Sequence, residues 1–138
     1  MNPLARIKAN LGTRPHWMNA ILLFCGYMTF IYVPWDLLLK PLAEDQEVWF
    51  GLLFTGWAAK IGAVLHWLVY GFGFYGFLYM KKWLHPWALV YVLQIAFSMA
   101  IWGALAGGSG ELTGGLMTAV VFIVLAYFLW RQRSKFAN

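Results

Sequence analysis

Charge is scarce in this chain, and cysteine is scarcer. Only 11% of its 138 residues are Asp, Glu, Lys or Arg, where a soluble domain carries about 25%. So few charges cannot cover a soluble surface. Cys25 is the single cysteine, so no intrachain disulfide forms and no thiolate cluster holds a metal. Inside an apolar run, Cys25 reads as a small apolar filler. The histidines His16, His66 and His85 lie too far apart for the convergent ligands of a metal or haem site. The chain has no phosphate-binding loop, serine-nucleophile motif, metalloprotease motif or redox cysteine pair. These absences leave no catalytic residue, no metal and no cofactor to assign, and they point away from an enzyme.

What the chain has in abundance is apolar surface. Hydrophobic residues make up 62% of it, more than a core this small can hide, so lipid must cover the remainder. The formal charge of +5 does not indicate nucleic acid, because the basic residues flank apolar runs as membrane topology requires. A spanning helix needs about 20 apolar residues. Four runs satisfy that, over 17–39, 57–80, 86–106 and 112–130. The stretch 48–80 is too long for one upright span, so 48–56 is expected as an interfacial or tilted lead-in. Pro86 suits a first helical turn, where its missing N–H costs nothing. Gly107 to Glu111 reads as a flexible loop. The first run ends at Val33-Pro34-Trp35-Asp36 without a small-x-small cleavage pattern, and it is expected to stay as an anchor.

The charges are sorted by side. Arg6, Lys8 and Arg14, then Lys81 and Lys82, then Arg131, Arg133 and Lys135 occupy three segments on one side, and Lys40 alone lies in the two opposite loops. The acids Asp36, Glu44, Asp45, Glu47 and Glu111 fall opposite the basic segments. The positive-inside rule then places both termini in the cytoplasm. Trp17, Trp35, Trp49, Trp83, Trp87 and Trp130 lie near span ends, where amphipathic rings favour the headgroup region. The expected architecture is an all-α, integral-membrane four-helix bundle of the bacterial inner membrane, N-in and C-in, with short loops and a single domain over 1–138.

Five residues are candidate ligand contacts. Lys60 is the one basic residue placed inside a span, and an ionisable residue there is a functional hypothesis by default. It lies 20 residues before Met80, so roughly 30 Å from that helix end, at the depth where Asp36 closes the first span. That depth allows a Lys60–Asp36 pair, and a structural pair or plain snorkelling weighs against a functional site. His66 lies deeper, on one helix face with Gly62 and Tyr70. It suits a hydrogen bond to a carbonyl, or to Tyr27 or Tyr32, more readily than a proton relay. Tyr91, Gln94 and Ser98 share a face of the third span and read first as interhelical glue, then as the polar corner of a pocket. The glycines of 71–77 allow close helix packing, or room for an apolar ligand.

Asp36, the pair Trp49-Phe50, and the series Lys82-Trp83, Pro86 and Tyr91 together resemble the emopamil-binding-protein-like family of four-span membrane proteins. The resemblance implies four helices around an apolar, sterol-sized pocket with acids at its mouth. This chain departs from the pattern in its second span, which carries Lys60 and His66 where that family has an acid. Only Asp36 carries over in position and type. The segment 34–67 is also similar to small four-span bacterial membrane proteins without an assigned activity.

The leading expectation is a non-catalytic accessory or assembly component, with membrane lipids, a homo-oligomer or a larger membrane complex as partners. The alternative is a lipid- or sterol-like ligand binder, an isomerase or carrier, using Asp36, Lys60, His66, Tyr70 and Gln94 in the outer half of the bundle. A proton-coupled transporter ranks last, because no acid is placed mid-membrane.

Overall fold

The computed structural model describes residues 2–138. Helices dominate, and four of them are long and apolar enough to cross a membrane: His16–Leu38, Gly56–Tyr79, Leu84–Leu105 and Ser109–Arg131. Ahead of them runs α1 (Pro3–Thr13), opened by the Asn2 side chain accepting from Leu4 N–H and by Pro3 in the first turn.

The first long helix is continuous but irregular. It comprises α2 (His16–Tyr27), a π turn (Met28–Tyr32) and α3 (Val33–Leu38). Pro34 accounts for the irregularity, since it has no N–H and its ring crowds the preceding turn. The Val33 N–H reaches back to the Met28 carbonyl. The Thr29 carbonyl therefore has no α-helical donor, and the indole N–H of Trp67 fills the place at 2.7 Å. A π turn beside a proline needs such a partner from outside its own helix.

Residues 46–55, where a lead-in to the second span was expected, form a β-hairpin. Strand β1 (Gln46–Trp49) pairs antiparallel with β2 (Leu52–Thr55) in the register Gln46↔Thr55 to Trp49↔Leu52. Phe50 and Gly51 make the two-residue turn, both at positive φ, +52° and +82°. That matches the turn geometry whose twist suits a hairpin. It is strained for Phe50 and easy for Gly51.

The helices α4 (Gly56–Tyr79), α5 (Leu84–Leu105) and α6 (Ser109–Arg131) complete the bundle. Glycines set its closest approach. A Cβ on Gly103 would stand 2.7 Å from the Glu111 carbonyl oxygen, and one on Gly115 2.5 Å from that of Met99. Only hydrogen fits where α5 and α6 cross there. Gly76 meets Leu84 at the α4–α5 turn, and Gly73 meets the Cys25 sulfur. The bundle is thus two tight pairs, α2 with α4 and α5 with α6, whereas α4 and α5 barely touch.

Both termini close the same end. Asn138 bonds the backbone of Met80 and Lys82, and the Lys135 ammonium donates to the Thr13 carbonyl at 2.9 Å. Arg14 is buried beneath them, donating to Asn19 and to the Phe77 carbonyl. Burial lowers its pKa from the ordinary arginine value. The hairpin lies toward the other end, with β1 and β2 against α4 and the Gly51 turn against Ile101 of α5.

Candidate functional site

Two polar groupings meet at the hairpin. The first is an ion-pair network at its base. Asp36 and Asp45 are 2% and 0% exposed, so neither is stable there without a cation. Lys40 pairs with Asp36 at 3.1 Å and with Asp45 at 3.3 Å. Lys60 pairs with the other Asp45 oxygen at 2.9 Å. Its ammonium also donates to the carbonyls of Asp36 at 2.6 Å and Lys40 at 3.1 Å. Lys60 thus meets Asp36, but through the backbone, and its carboxylate partner is Asp45. Burial alone would raise the Asp45 pKa, but hydrogen bonds and charge from Lys60 and Lys40 outweigh it and hold the group below the usual carboxylate range. For Lys40, burial works against the charge, and the carboxylates of Asp36 and Asp45 overcome it, raising the pKa. Two acids and two lysines cancel, so the network reads as a latch between α3, the hairpin and α4.

The second grouping faces inward. Glu47 of β1 brings its carboxylate to 2.9 Å from His66 Nδ1. Trp49 stacks on the His66 ring at 4.1 Å between centroids, and Tyr70 lies beyond it at 6.0 Å. Gly62 makes this possible, because a Cβ there would stand 2.7 Å from the Trp49 indole nitrogen. Gly62 and His66 sit one turn apart, so the indole lies flat along α4. Tyr91 meets Tyr70 edge-on at 6.4 Å, and Gln94 donates to the Ser98 hydroxyl at 2.7 Å one turn further along α5.

Trp49, His66, Tyr70, Tyr91, Gln94 and Ser98 line one end of a cavity of about 1020 Å³. The cavity fills the gap between α4 and α5, with α2 and α6 behind it and Val48, Trp49 and Phe50 of the hairpin closing one end. Its walls are overwhelmingly apolar, and no lining residue is Asp, Glu, Lys or Arg. The lining residues Phe72, Trp87 and Val90 are also exposed on the outside of the bundle, so the cavity opens sideways between α4 and α5.

Of the five residues singled out from sequence, His66, Tyr70 and Gln94 line this cavity, and Asp36 and Lys60 do not. The hydrogen-bond partner of His66 is Glu47, not Tyr27 or Tyr32. Glu47 and Trp49 enter the site only because the hairpin folds back on α4. Asp45 enters the latch for the same reason. Helix periodicity gives no signal for a fold-back of this kind. Among the described residues, no group of three His, Cys, Asp or Glu is placed to hold a metal ion. No protein-family model, curated protein or solved structure matches the chain. Asp36, the one acid of the emopamil-binding layout found here, is turned to Lys40 and away from the cavity.

Proposed function

We propose that this chain is a multi-pass protein of the bacterial inner membrane, with both termini in the cytoplasm, that holds a lipid-like ligand between α4 and α5. One observation carries the reading: an apolar cavity of about 1020 Å³, at the top of the usual range for small-molecule sites, about 300–1,000 Å³. A gap of that size between two tight helix pairs, open at the side, admits a molecule already dissolved in the bilayer. The hairpin is compatible with this setting, because non-helical backbone is tolerated at membrane depth where it lines a cavity.

Purification in mild detergent followed by native mass spectrometry tests the proposal. The expected result is a one-to-one adduct of lipid mass. Ala88→Phe, which places a ring inside the cavity, is expected to cut the adduct at least fivefold while the protein stays folded by circular dichroism. Wild-type protein free of any lipid adduct overturns the reading. The same spectra report on the assembly-subunit reading, which the exposed apolar face of α6 at Met117, Val121 and Phe128 supports. A defined oligomer or a retained larger partner is its signature.

A further inference from the structure

The apolar cavity has a single polar end, and the chemistry there is selective. Glu47 fixes His66 through Nδ1. A carboxylate at that distance favours the Nδ1–H tautomer, in which the lone pair of the imidazole lies at Nε2. The ring is held between Trp49 and Tyr70, which leaves it little freedom to turn. The buried indole N–H of Trp49, stacked on this ring, has no hydrogen-bond partner among the described residues. Apart from the Glu47–His66 pair, charge at this end is absent, and the nearby Lys60 is consumed by Asp45 and two carbonyls.

We infer that the ligand is an uncharged lipid alcohol whose hydroxyl donates to His66 Nε2, with Glu47 acting as a filter against anionic head groups. This inference rests on the cavity reading above and assigns its ligand class. Three features carry it. An acceptor nitrogen selects a donor head group, which a hydroxyl supplies to Nε2 and a carbonyl does not. A phosphate or carboxylate would find no free cation and would face Glu47 across the imidazole, where low polarity strengthens the repulsion. The reach of the cavity suits a lipid-length molecule. Along α5 it runs from Ser98 to Trp87, roughly 16 Å at helical rise, and it is open along the side. Tyr70 and Tyr91 flank the hydroxyl position, and Trp49 and Phe50 stop the ligand from passing further.

The experiment is competition in detergent among four probes of equal chain length: hexadecan-1-ol, hexadecanal, hexadecane and hexadecyl phosphate. Delipidated full-length protein is mixed with the four in equal amounts, and native mass spectrometry counts the adducts. The alcohol is expected to exceed each of the others about tenfold. His66→Gln should reduce the alcohol to the level of hexadecane, and its retained hexadecane adduct shows that the cavity is intact. Glu47→Gln should raise hexadecyl phosphate relative to the alcohol by about tenfold. Equal occupancy by alcohol and alkane overturns the head-group assignment and leaves the cavity reading standing. Preference for the phosphate, or a Glu47→Gln variant with unchanged preference, overturns the filter. Failure of every probe to bind the wild-type protein rejects the cavity reading itself.

Discussion

Asp45 is the residue on which the hairpin's attachment turns. It has no exposed surface and is shared by Lys40 and Lys60. Removing one partner of a buried ion pair leaves the other charge uncompensated, at about 3–5 kcal/mol. Asp45→Ala is therefore expected to lower the melting temperature in detergent sharply and to expose residues 46–55 to hydrogen exchange. The pH dependence follows from the directions of the shifts. The lowered pKa of Asp45 stabilises the fold above the ordinary carboxylate range, and that stability is lost as pH falls through the folded-state value. The raised pKa of Lys40 stabilises below the ordinary lysine value, and that stability is lost as pH climbs through the higher folded-state value. The latch should hold throughout the neutral range. Lys40→Met removes one of the groups that depress Asp45, so acid release of the hairpin should begin at a higher pH than in wild type. An unchanged onset of exchange would show that Lys60 alone sets the Asp45 pKa. Gly62 is the complementary case. Gly62→Ala pushes a methyl group into the Trp49 indole, and overpacking of this kind costs about 1–3 kcal/mol. The expected sign is loss of the Trp49–His66 stack, read as a change in tryptophan emission.

At the scale of elements, the π turn and the hairpin depart most from regular helix. Trp67 ties the first of them to α4 by filling the carbonyl of Thr29. Trp67→Phe keeps most of the ring and removes the donor. An orphaned carbonyl in apolar surroundings costs about 1–3 kcal/mol, so the variant should melt earlier than wild type, whereas Trp67→His, able to donate again, should recover part of the loss. The four long apolar helices were legible because a run of about 20 apolar residues reads as a helix of spanning length. The lead-in was not legible as a hairpin. Val48 to Thr55 is apolar almost throughout, so neither a period of two nor one of 3.6 stands out. The same limit explains the reassigned partner of Lys60. Counting residues from Met80 gave its depth, and Asp36 does lie at that depth. Depth says nothing of rotation about the helix axis or of a loop that returns between two helices, and Asp45 arrives by that loop. That His66 and Tyr70 share a face of α4, and Gln94 one of α5 with Tyr91 and Ser98, was legible because helical spacing specifies a shared face.

For the molecule as a whole, the charges divide between the two ends of the bundle. Counted from sequence, the hairpin end already holds few basic residues. In the folded chain, Lys40 and Lys60 are both neutralised by Asp36 and Asp45, so that end offers no unpaired lysine. The terminal end keeps Arg6, Lys8, Lys81, Lys82, Arg131, Arg133 and Lys135 free of any carboxylate partner among the described residues. The positive-inside rule counts lysine and arginine near the span ends and gives carboxylates little weight, so the asymmetry it reads is the one already counted from sequence. The tie between Asn138, Met80 and Lys82 further requires the tail and the α4–α5 turn to share a side. A fluorescent reporter that matures only in the cytoplasm should therefore be active when fused after Asn138. Alkaline phosphatase, active only in the periplasm, should be silent there and active when inserted between Gly108 and Ser109. Phosphatase activity at Asn138 would invert the bundle. The hairpin would then face the cytoplasm, and the cavity's polar end would lie in the inner half of the membrane. The head-group chemistry at His66 would survive that inversion, but its ligand would have to present its hydroxyl from the cytoplasmic leaflet.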